Sequence, residues 1–304
     1  MKIGIIEPKD FSVIALGELS KFAEVQLWDG KDLDQFIADK DCLFIRLSIE
    51  WNNAVLSKAK ALKYLCSPTT GLNHIDLNYC ESNKIQVLSL KGETSFLNTI
   101  RATPEHTLGL IIALLRNYTH AFIQKAEDWN RDAYKGDEIY GNTIGIIGLG
   151  RVGTILADYL HQMGAFVRYY DPNVKHDIYP QSNSIQDLID ESQIIVLCSS
   201  YDLATGSILS HEHLDAMQNK YFVNTARAEL YDESYMVQLA SKHHFKGLAI
   251  DVIQNEQGNR QHLQALLDNI HNSNLIVTPH IAGATHQSMP KTELFIAQKL
   301  TQLI

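Results

Sequence analysis

The segment GNTIGIIGLGRVG, residues 141–153, decides the fold of this 304-residue chain. Its run TIGII predicts a buried β-strand, Gly148, Gly150 and Gly153 follow as GxGxxG, and the next residues predict a helix that ends near Gly164. In such a unit the first glycine permits a tight turn, the second lets the backbone approach a pyrophosphate, and the third lets the helix pack on the strand. The segment therefore predicts a dinucleotide-binding βαβ unit whose helix N-terminus faces phosphate charge.

The following strand-like run, FVRYYDP, ends in Asp171. A carboxylate at this position can accept hydrogen bonds from an adenosine ribose. It would repel a 2′-phosphate, and the next residues, PNVK, supply no arginine to bind one. The predicted cofactor is therefore NAD rather than NADP.

The rest of the chain predicts two α/β units. Strand-like runs alternate with helix-length polar stretches both before the glycine motif (KIGIIE, CLFIRL, KYLCS, IQVLS) and from it onwards (TIGIIG, FVRYYD, QIIVLC, YFVNTA, GLAID, LIVTP). That alternation is typical of βαβ units and parallel sheets.

An apolar segment at residues 103–122 separates the two series and predicts a buried connecting helix, with Thr103 as its N-cap and Pro104 at its first position. Because this helix is apolar nearly all round, it could lie wholly inside one chain or pack against a second subunit. Residues 117–142, with Trp129 and mixed charge, predict a surface arm.

Composition excludes several functional classes. The chain is 45% hydrophobic and 20% charged, which suits a globular protein of two domains. A net charge of -9 and the absence of a Lys/Arg cluster argue against nucleic-acid binding. The longest apolar run, residues 108–115, is too short to span a membrane, and the N-terminus lacks the pattern of a signal peptide.

Cysteine and histidine patterns predict neither disulfides nor a metal site. The four cysteines lie far apart without a CxxC pair, which suits reduced thiols and a cytoplasmic location. Of the thirteen histidines, the pairs at residues 211–213 and 243–244 have spacings that do not place both rings on one helix face. We expect no bound metal.

Three later strand-like runs end in polar groups. KYFVNTAR supplies Arg227, GLAIDVIQNE supplies Asp251 and Glu256, and LIVTPHIAGAT supplies His280. The carboxyl ends of parallel strands line the ligand crevice of an open α/β sheet. Singly, each of these residues is more often structural than catalytic.

Together these residues match the needs of hydride transfer to a 2-keto acid. An arginine fork such as Arg227 suits the substrate carboxylate. His280 suits the proton donor, and Glu256 beside it would favour the imidazolium. Asp251 could orient the nicotinamide carboxamide.

Over essentially its whole length, the sequence resembles the D-isomer-specific 2-hydroxyacid dehydrogenases. The residues that carry the resemblance are GIIGLGRVG, YYDP, VNTARAEL, GLAIDVIQNE and TPHIAGAT. The resemblance implies an NAD-binding Rossmann domain, residues 99–287, inserted into a flavodoxin-like substrate domain, residues 1–98 and 288–304. Both domains would be doubly wound parallel sheets, and a final helix from about Gln287 would rejoin the N-terminal unit.

The resemblance also implies roles for individual residues. Arg227, Glu256 and His280 look like the catalytic trio, with His280 as the acid/base. The implied NAD contacts are Gly148, Gly150, Arg151, Val152, Gly153, Asp171, Thr225, Ala226, Asp251 and the backbone up to Gly283. The implied substrate contacts are Thr70, Gly71 and Leu72, in SPTTGLNHIDL, and, more weakly, Arg46.

The sequence departs from the family pattern at several positions. Ala228 stands where glycine usually follows the catalytic arginine, and Ile253 and Gln257 stand where DVFxxEP has phenylalanine and proline. A proline usual in one strand-end turn is replaced by Ser200. Alanine at position 228 would be unfavourable if the position required positive φ. These changes bear on loop geometry and substrate choice.

We therefore expect an NAD-dependent oxidoreductase that interconverts a small 2-keto acid and its D-2-hydroxy acid, a homodimer as in the family. Formate dehydrogenases have a similar layout but pair their histidine with glutamine, and a phosphite-oxidising relative is a further alternative. The C-terminal-binding-protein corepressors also resemble this fold and use NAD binding to control assembly. Because the sequence shows no long disordered or partner-docking extension, the enzyme is favoured.

Overall fold

The computed structural model describes residues 1–125, 127, 129–201, 205–258, 260–270 and 273–304. The chain divides into two compact units. Unit 1 comprises Met1–Ile100 and Ala284–Ile304, and unit 2 comprises Arg101–Gly283.

Unit 1 contains a five-stranded parallel sheet. Its strands are β1 (Lys2–Ile5), β2 (Glu24–Leu27), β3 (Cys42–Phe44), β4 (Tyr64–Cys66) and β5 (Gln86–Leu88). Their order is β2-β1-β3-β4-β5, which is the flavodoxin-like order that the resemblance implied. Strand β2 was not predicted from the sequence, because it is an edge strand whose side chains are half-buried or exposed and it lacks a buried apolar run.

Five short helices connect these strands: α1 (Val13–Ser20), α2 (Leu33–Ile37), α3 (Asn53–Leu56), α4 (Leu77–Ser82) and α5 (Thr94–Leu97). The first four each begin after a short polar residue whose side chain accepts a hydrogen bond from a backbone N–H of the first turn. These capping residues are Ser12, Asp32, Asn52 and Asp76.

Unit 2 contains a six-stranded parallel sheet. Its strands are β6 (Thr143–Ile147), β7 (Phe166–Tyr170), β8 (Ile194–Leu197), β9 (Tyr221–Asn224), β10 (Gly247–Ile250) and β11 (Leu275–Val277), in the order β11-β10-β9-β8-β6-β7. All six match the predicted runs. Strand β7 lies on one side of β6, and the next strand in the chain, β8, lies on the other side. The direction in which successive strands are added to the sheet therefore reverses at β6. Ligands bind at such a switch point in Rossmann folds.

The helices of unit 2 are α6 (Ala102–Leu115), α7 (Tyr118–Ala121), α8 (Arg151–Gln162), α9 (Ile185–Asp190), α10 (His211–Asp215), α11 (Glu233–Ser241) and α12 (Gln261–Asp268). Short 3-10 turns occupy Arg131–Tyr134 and Ala228–Leu230. In the predicted surface arm, Ala126 and Asp128 lie outside the described residues, and Trp129 is 85% exposed.

Helix α6 corrects one prediction and α8 confirms another. α6 begins at Ala102, so Thr103 is not its N-cap, and Pro104 is its third residue. Proline is tolerated there because the N–H groups of a first turn have no acceptor inside the helix. Gly164, at φ +84°, directly follows the C-cap of α8, as predicted for a glycine that ends a helix.

The final helix, α13 (Ser288–Thr301), belongs to unit 1. It starts after Gln287, where the sequence placed it, and packs against α1. Its buried residues Ile296, Ala297 and Leu300 share one apolar cluster with residues of α1 and the sheet. Within the described ranges, no helix is both long enough and apolar enough to cross a membrane.

Candidate active site

The glycine motif connects β6 to α8. Gly148 has φ +92°, and a Cβ built there would lie 2.6 Å from the backbone of Ser199. A Cβ on Gly153 would lie 2.2 Å from the carbonyl oxygen of Gly148. Both positions therefore require glycine. A Cβ on Gly150 would meet nothing within 4 Å, so this backbone borders open space.

The open space at Gly150 lies at the N-terminus of α8, whose first residues are Arg151 and Val152. Among the residues that the structure describes, no side chain caps this terminus. Burial, together with the nearby charge of Arg101, lowers the pKa of Arg151. A helix N-terminus with two arginines beside a glycine turn fits the phosphates of a dinucleotide. Arg101 lies far from the glycine motif in the chain, so no local pattern pointed to it.

Asp171 follows β7 and contacts the glycine turn. Its Oδ2 accepts a hydrogen bond from the N–H of Leu149 at 2.9 Å. Its Oδ1 accepts bonds from Asn173 N–H at 2.9 Å and from Val174 N–H at 3.1 Å. A carboxylate has about four acceptor sites, so these three bonds leave capacity for a ribose hydroxyl. Asp171 thus shapes the turn, a role that the sequence did not reveal.

Three adjacent strands, β9, β10 and β11, present the other predicted site residues at their carboxyl ends. Thr225 is buried and its hydroxyl lies 2.7 Å from that of Thr107 on α6. The N–H of Ala226 donates to Asn224 Oδ1 at 2.8 Å. Arg227 follows, and its Nη1 donates to the Ala226 carbonyl at 2.6 Å.

His280 and Glu256 are in direct contact. His280 Nδ1 lies 2.8 Å from each carboxylate oxygen of Glu256. Their side chains are 24% and 26% exposed, respectively. Because Nδ1 is engaged by the carboxylate, Nε2 is the ring nitrogen that can exchange a proton with a ligand. His280 and Glu256 therefore form an oriented acid/base pair.

Asp251, the residue after β10, is 1% exposed, and its side chain is directed at residues 278–282. Its carboxylate accepts hydrogen bonds from Thr278 Oγ1 at 2.5 Å and from the N–H groups of Ile281 and Ala282 at 2.9 Å. Burial alone would raise the pKa of Asp251, but these bonds and one from His106 lower it. The structure shows Asp251 holding the loop that carries His280, and its predicted contact with nicotinamide stays a prediction.

A second histidine–glutamate pair lies beneath the loop that carries Glu256. Glu233, 2% exposed at the start of α11, accepts the N–H of Gln254 at 2.8 Å and lies 2.7 Å from His262 Nδ1. The pair therefore anchors the 251–258 loop to α11 and α12. Sequence spacing gave no signal for this contact.

The local structure suits the residues that depart from the family pattern at positions 228 and 253. Ala228 is buried in the 3-10 turn Ala228–Leu230, a conformation with negative φ that alanine adopts freely. Ile253 is partly buried and packs against one of the apolar clusters of unit 2.

In unit 1, the predicted substrate residues lie in a loop that follows β4. Thr70 is exposed, and Gly71 and Leu72 are half-buried. The hydroxyl of Thr69 donates to the Gly71 carbonyl at 2.9 Å and lies 2.7 Å from that of Ser67, which fixes the loop. Substrate contacts at these residues stay predictions.

In the structure, Arg46 is paired with a buried carboxylate. Its Nε donates to Glu293 Oε1 at 2.9 Å, its Nη2 contacts the same oxygen, and its Nη1 donates to the Lys9 carbonyl at 3.2 Å. Glu293 is buried on α13, and burial raises its pKa despite the arginine. Arg46 thus balances the charge of this buried carboxylate, and its contact with substrate stays a prediction.

His211 and His213 have structural partners. His211 Nε2 lies 2.9 Å from Asp232 Oδ2, the N–H of His213 donates to Ser210 Oγ, and the N–H of Ser210 donates to His213 Nδ1. In the part of the chain that the structure describes, no group of three or more His, Cys, Asp or Glu side chains is arranged to hold a metal.

With this geometry established, comparison with known proteins identifies the family. The model of the D-isomer specific 2-hydroxyacid dehydrogenase NAD binding domain matches residues 108–282. The chain belongs to the D-isomer specific 2-hydroxyacid dehydrogenase family. The matched range contains the glycine turn, Asp171 and the three strand ends that carry Arg227, Glu256 and His280.

Individual relatives are distant in sequence. The D-3-phosphoglycerate dehydrogenase of Bacillus subtilis is 26% identical over 291 residues, which cover 93% of this chain and 53% of that protein. The glyoxylate reductase of Thermofilum pendens is 27% identical over 307 residues, covering 95% and 88%. The chain thus spans about half the length of the D-3-phosphoglycerate dehydrogenases that it matches.

Among solved structures, D-lactate dehydrogenase from Aquifex aeolicus, in complex with NAD and lactic acid, aligns with a TM-score of 0.85 and 22% identity. The alignment covers 100% of this chain and 95% of that one. At this identity the likeness shows the fold, and it agrees with the two parallel-sheet units described above.

Proposed function

We propose that this protein is an NAD-dependent oxidoreductase that interconverts a small 2-keto acid and its D-2-hydroxy acid. The observation that carries the proposal is the pairing of His280 Nδ1 with Glu256 at the carboxyl edge of the sheet that bears the glycine turn. The pairing leaves Nε2 as the proton-exchanging atom, and the neighbouring carboxylate favours the charged ring.

When bound, the nicotinamide cofactor supplies the hydride that forms the new C–H bond at the carbonyl carbon. His280 Nε2 supplies the proton that forms the O–H bond, and in the oxidative direction it takes that proton back. Arg227, at the end of β9, is proposed to bind the substrate carboxylate through its guanidinium fork. Glu256 orients the ring and stabilises its charge.

The remaining roles in the proposal concern binding. The N-terminus of α8 and the backbone at Gly150 would hold the pyrophosphate, and Asp171 the adenosine ribose. The four cysteines are free, as in a reducing compartment, so we place the protein in the cytoplasm. Assembly as a homodimer stays a prediction.

The test is a panel of 2-keto acids with NADH, followed by loss of nicotinamide absorbance and by chiral chromatography of the product. We expect reduction of at least one acid to its D-isomer. His280→Ala should lower turnover by roughly 10² to 10⁴-fold, the contribution typical of general acid catalysis, with NADH binding retained. His211→Ala, which removes a histidine paired with Asp232 on the surface, is the matched control and should leave turnover unchanged.

Two results would overturn the proposal. Tight NADH binding without reduction of any acid would make the protein a nucleotide-binding module rather than an enzyme. Full turnover by His280→Ala would remove the acid/base role.

A further inference from the structure

The loop that carries His280 is organised around a single buried residue, Asp251. Three consecutive N–H groups donate to it: that of His280 to its carbonyl oxygen at 2.8 Å, and those of Ile281 and Ala282 to its carboxylate. Thr278, two residues before His280, donates its hydroxyl to the same carboxylate. Asp251 thus binds residues that precede and follow His280 in the chain.

These bonds hold an unfavourable backbone conformation. His280 has φ 52°, in the left-handed region that L-residues other than glycine adopt rarely. Such a conformation persists only where surrounding contacts fix it. The direction of the His280 side chain toward Glu256 therefore depends on the bonds to Asp251.

One further side chain reaches this carboxylate from outside the strand loops. His106 lies on α6, which packs against β9, β10 and β11. Its Nε2 lies 3.5 Å from Asp251 Oδ1 and 3.3 Å from Thr278 Oγ1. Among the described residues, His106 is the ionisable side chain in salt-bridge range of Asp251.

The hydrogen-bond pattern fixes the role of the His106 ring. Asp251 is ionised and accepts only, so the hydroxyl proton of Thr278 is directed to it. The oxygens that face His106 Nε2 are then both acceptors, and Nε2 must carry a hydrogen. His106 therefore donates to Thr278 Oγ1 and faces the carboxylate of Asp251, whose side chain has no exposure to water.

We propose that His106 is a positioning residue that acts through Asp251 and Thr278 to hold His280 against Glu256. The proposal rests on the acid/base function proposed for His280. His106 contacts neither Glu256 nor the His280 ring in this network. Its effect on catalysis is exerted through the backbone of residues 278–282.

The test compares His106→Phe, which removes the donor, with His106→Gln, whose amide can place an N–H near the position of Nε2. His120→Phe is the matched control, because His120 on α7 contacts Thr119 rather than Asp251. The first measurement is the NMR titration of the His280 ring in the holoenzyme, assigned with His280→Asn. The second is the pH profile of keto-acid reduction.

We expect His106→Phe to change the titration of the His280 ring and the shape of the pH profile, because the ring no longer sits against the Glu256 carboxylate. Turnover should fall roughly 10- to 100-fold, the scale of a misplaced catalytic group. His106→Gln should restore both, and His120→Phe should change neither. Thr278→Val should give a similar effect that is not additive with His106→Phe.

A merely structural His106 gives a different result. His106→Phe would then lower the melting temperature, while the His280 titration and the shape of the pH profile stayed those of the wild type, and the proposal would be overturned. Because the NMR titration needs no turnover, failure of the wild type to reduce any keto acid would refute the proposed function separately.

Discussion

The imidazole of His280 lies against the carboxylate of Glu256, with Nδ1 2.8 Å from the carboxylate oxygens. The two residues come from the ends of adjacent parallel strands, β10 and β11. A carboxylate in this position stabilises the protonated ring and fixes which nitrogen faces a ligand. The pair is thus arranged so that Nε2 of His280 is the atom that can exchange a proton with a ligand.

Glu256→Gln tests this electrostatic role. Glutamine keeps the size of the side chain and removes the charge that lies against the His280 ring. We expect slower keto-acid reduction and a displaced basic limb of its pH profile. Glu212→Gln, on the surface of α10, should leave the limb in place. An unshifted limb in Glu256→Gln would contradict the role.

Asp171→Ala tests cofactor choice. The change removes both an acceptor for the ribose hydroxyls and the charge that opposes a 2′-phosphate. Binding of NADH should weaken by roughly 10-fold or more, the scale of a hydrogen bond to a charged group, and binding of NADPH should weaken less. Fluorescence titration with the two nucleotides measures the ratio. Equal losses would show that Asp171 acts only by anchoring the Leu149 N–H.

The sequence predicted unit 2 better than unit 1 for a physical reason. Strands β8, β9 and β10 are buried at every position, so they appear as uninterrupted apolar runs. Strand β2 and helix α1 lack such a signal. β2 is an edge strand without a buried residue, and α1 exposes Val13 and Ile14 at its start while burying only Ala15 and Leu19.

The same distinction applies to the site. Arg227, Glu256 and His280 follow strands whose ends share one edge of a parallel sheet, and sequence order is enough to place them there. His106 and Glu233 reach this region through helices α6 and α11, whose packing no local pattern encodes. The pairing of Arg46 with Glu293 likewise joins residues that are far apart in the chain, so the sequence alone did not predict it.

Two glycines of the turn should respond in opposite ways to alanine. Gly148→Ala places a Cβ at positive φ and 2.6 Å from the Ser199 backbone, so we expect a loss of about 2 kcal/mol or more in the free energy of unfolding. Gly150→Ala meets open space and should unfold like the wild type, yet weaken NADH binding by occupying the approach to the backbone. Denaturant unfolding and NADH titration separate the two effects. Equal destabilisation would contradict the assignment.

Asp251→Asn should lower the free energy of unfolding by the amount that the buried carboxylate contributes. Replacing one oxygen by an amide leaves Ile281 or Ala282 without its acceptor, at a cost of about 1–3 kcal/mol at neutral pH. Burial opposes ionisation, but hydrogen bonds lower the pKa of Asp251 in the folded protein. The carboxylate therefore stabilises the fold fully above its unfolded pKa of about 3.9, and this contribution is lost as the pH falls through the folded pKa.

The stability difference between wild type and Asp251→Asn should accordingly stay constant from about pH 8 to about pH 5 and shrink only below about pH 4. Urea unfolding across this range measures it, with Asp268→Asn, at an exposed position of α12, as the control. A difference that changed between about pH 7 and pH 6 would contradict control by the Asp251 carboxylate.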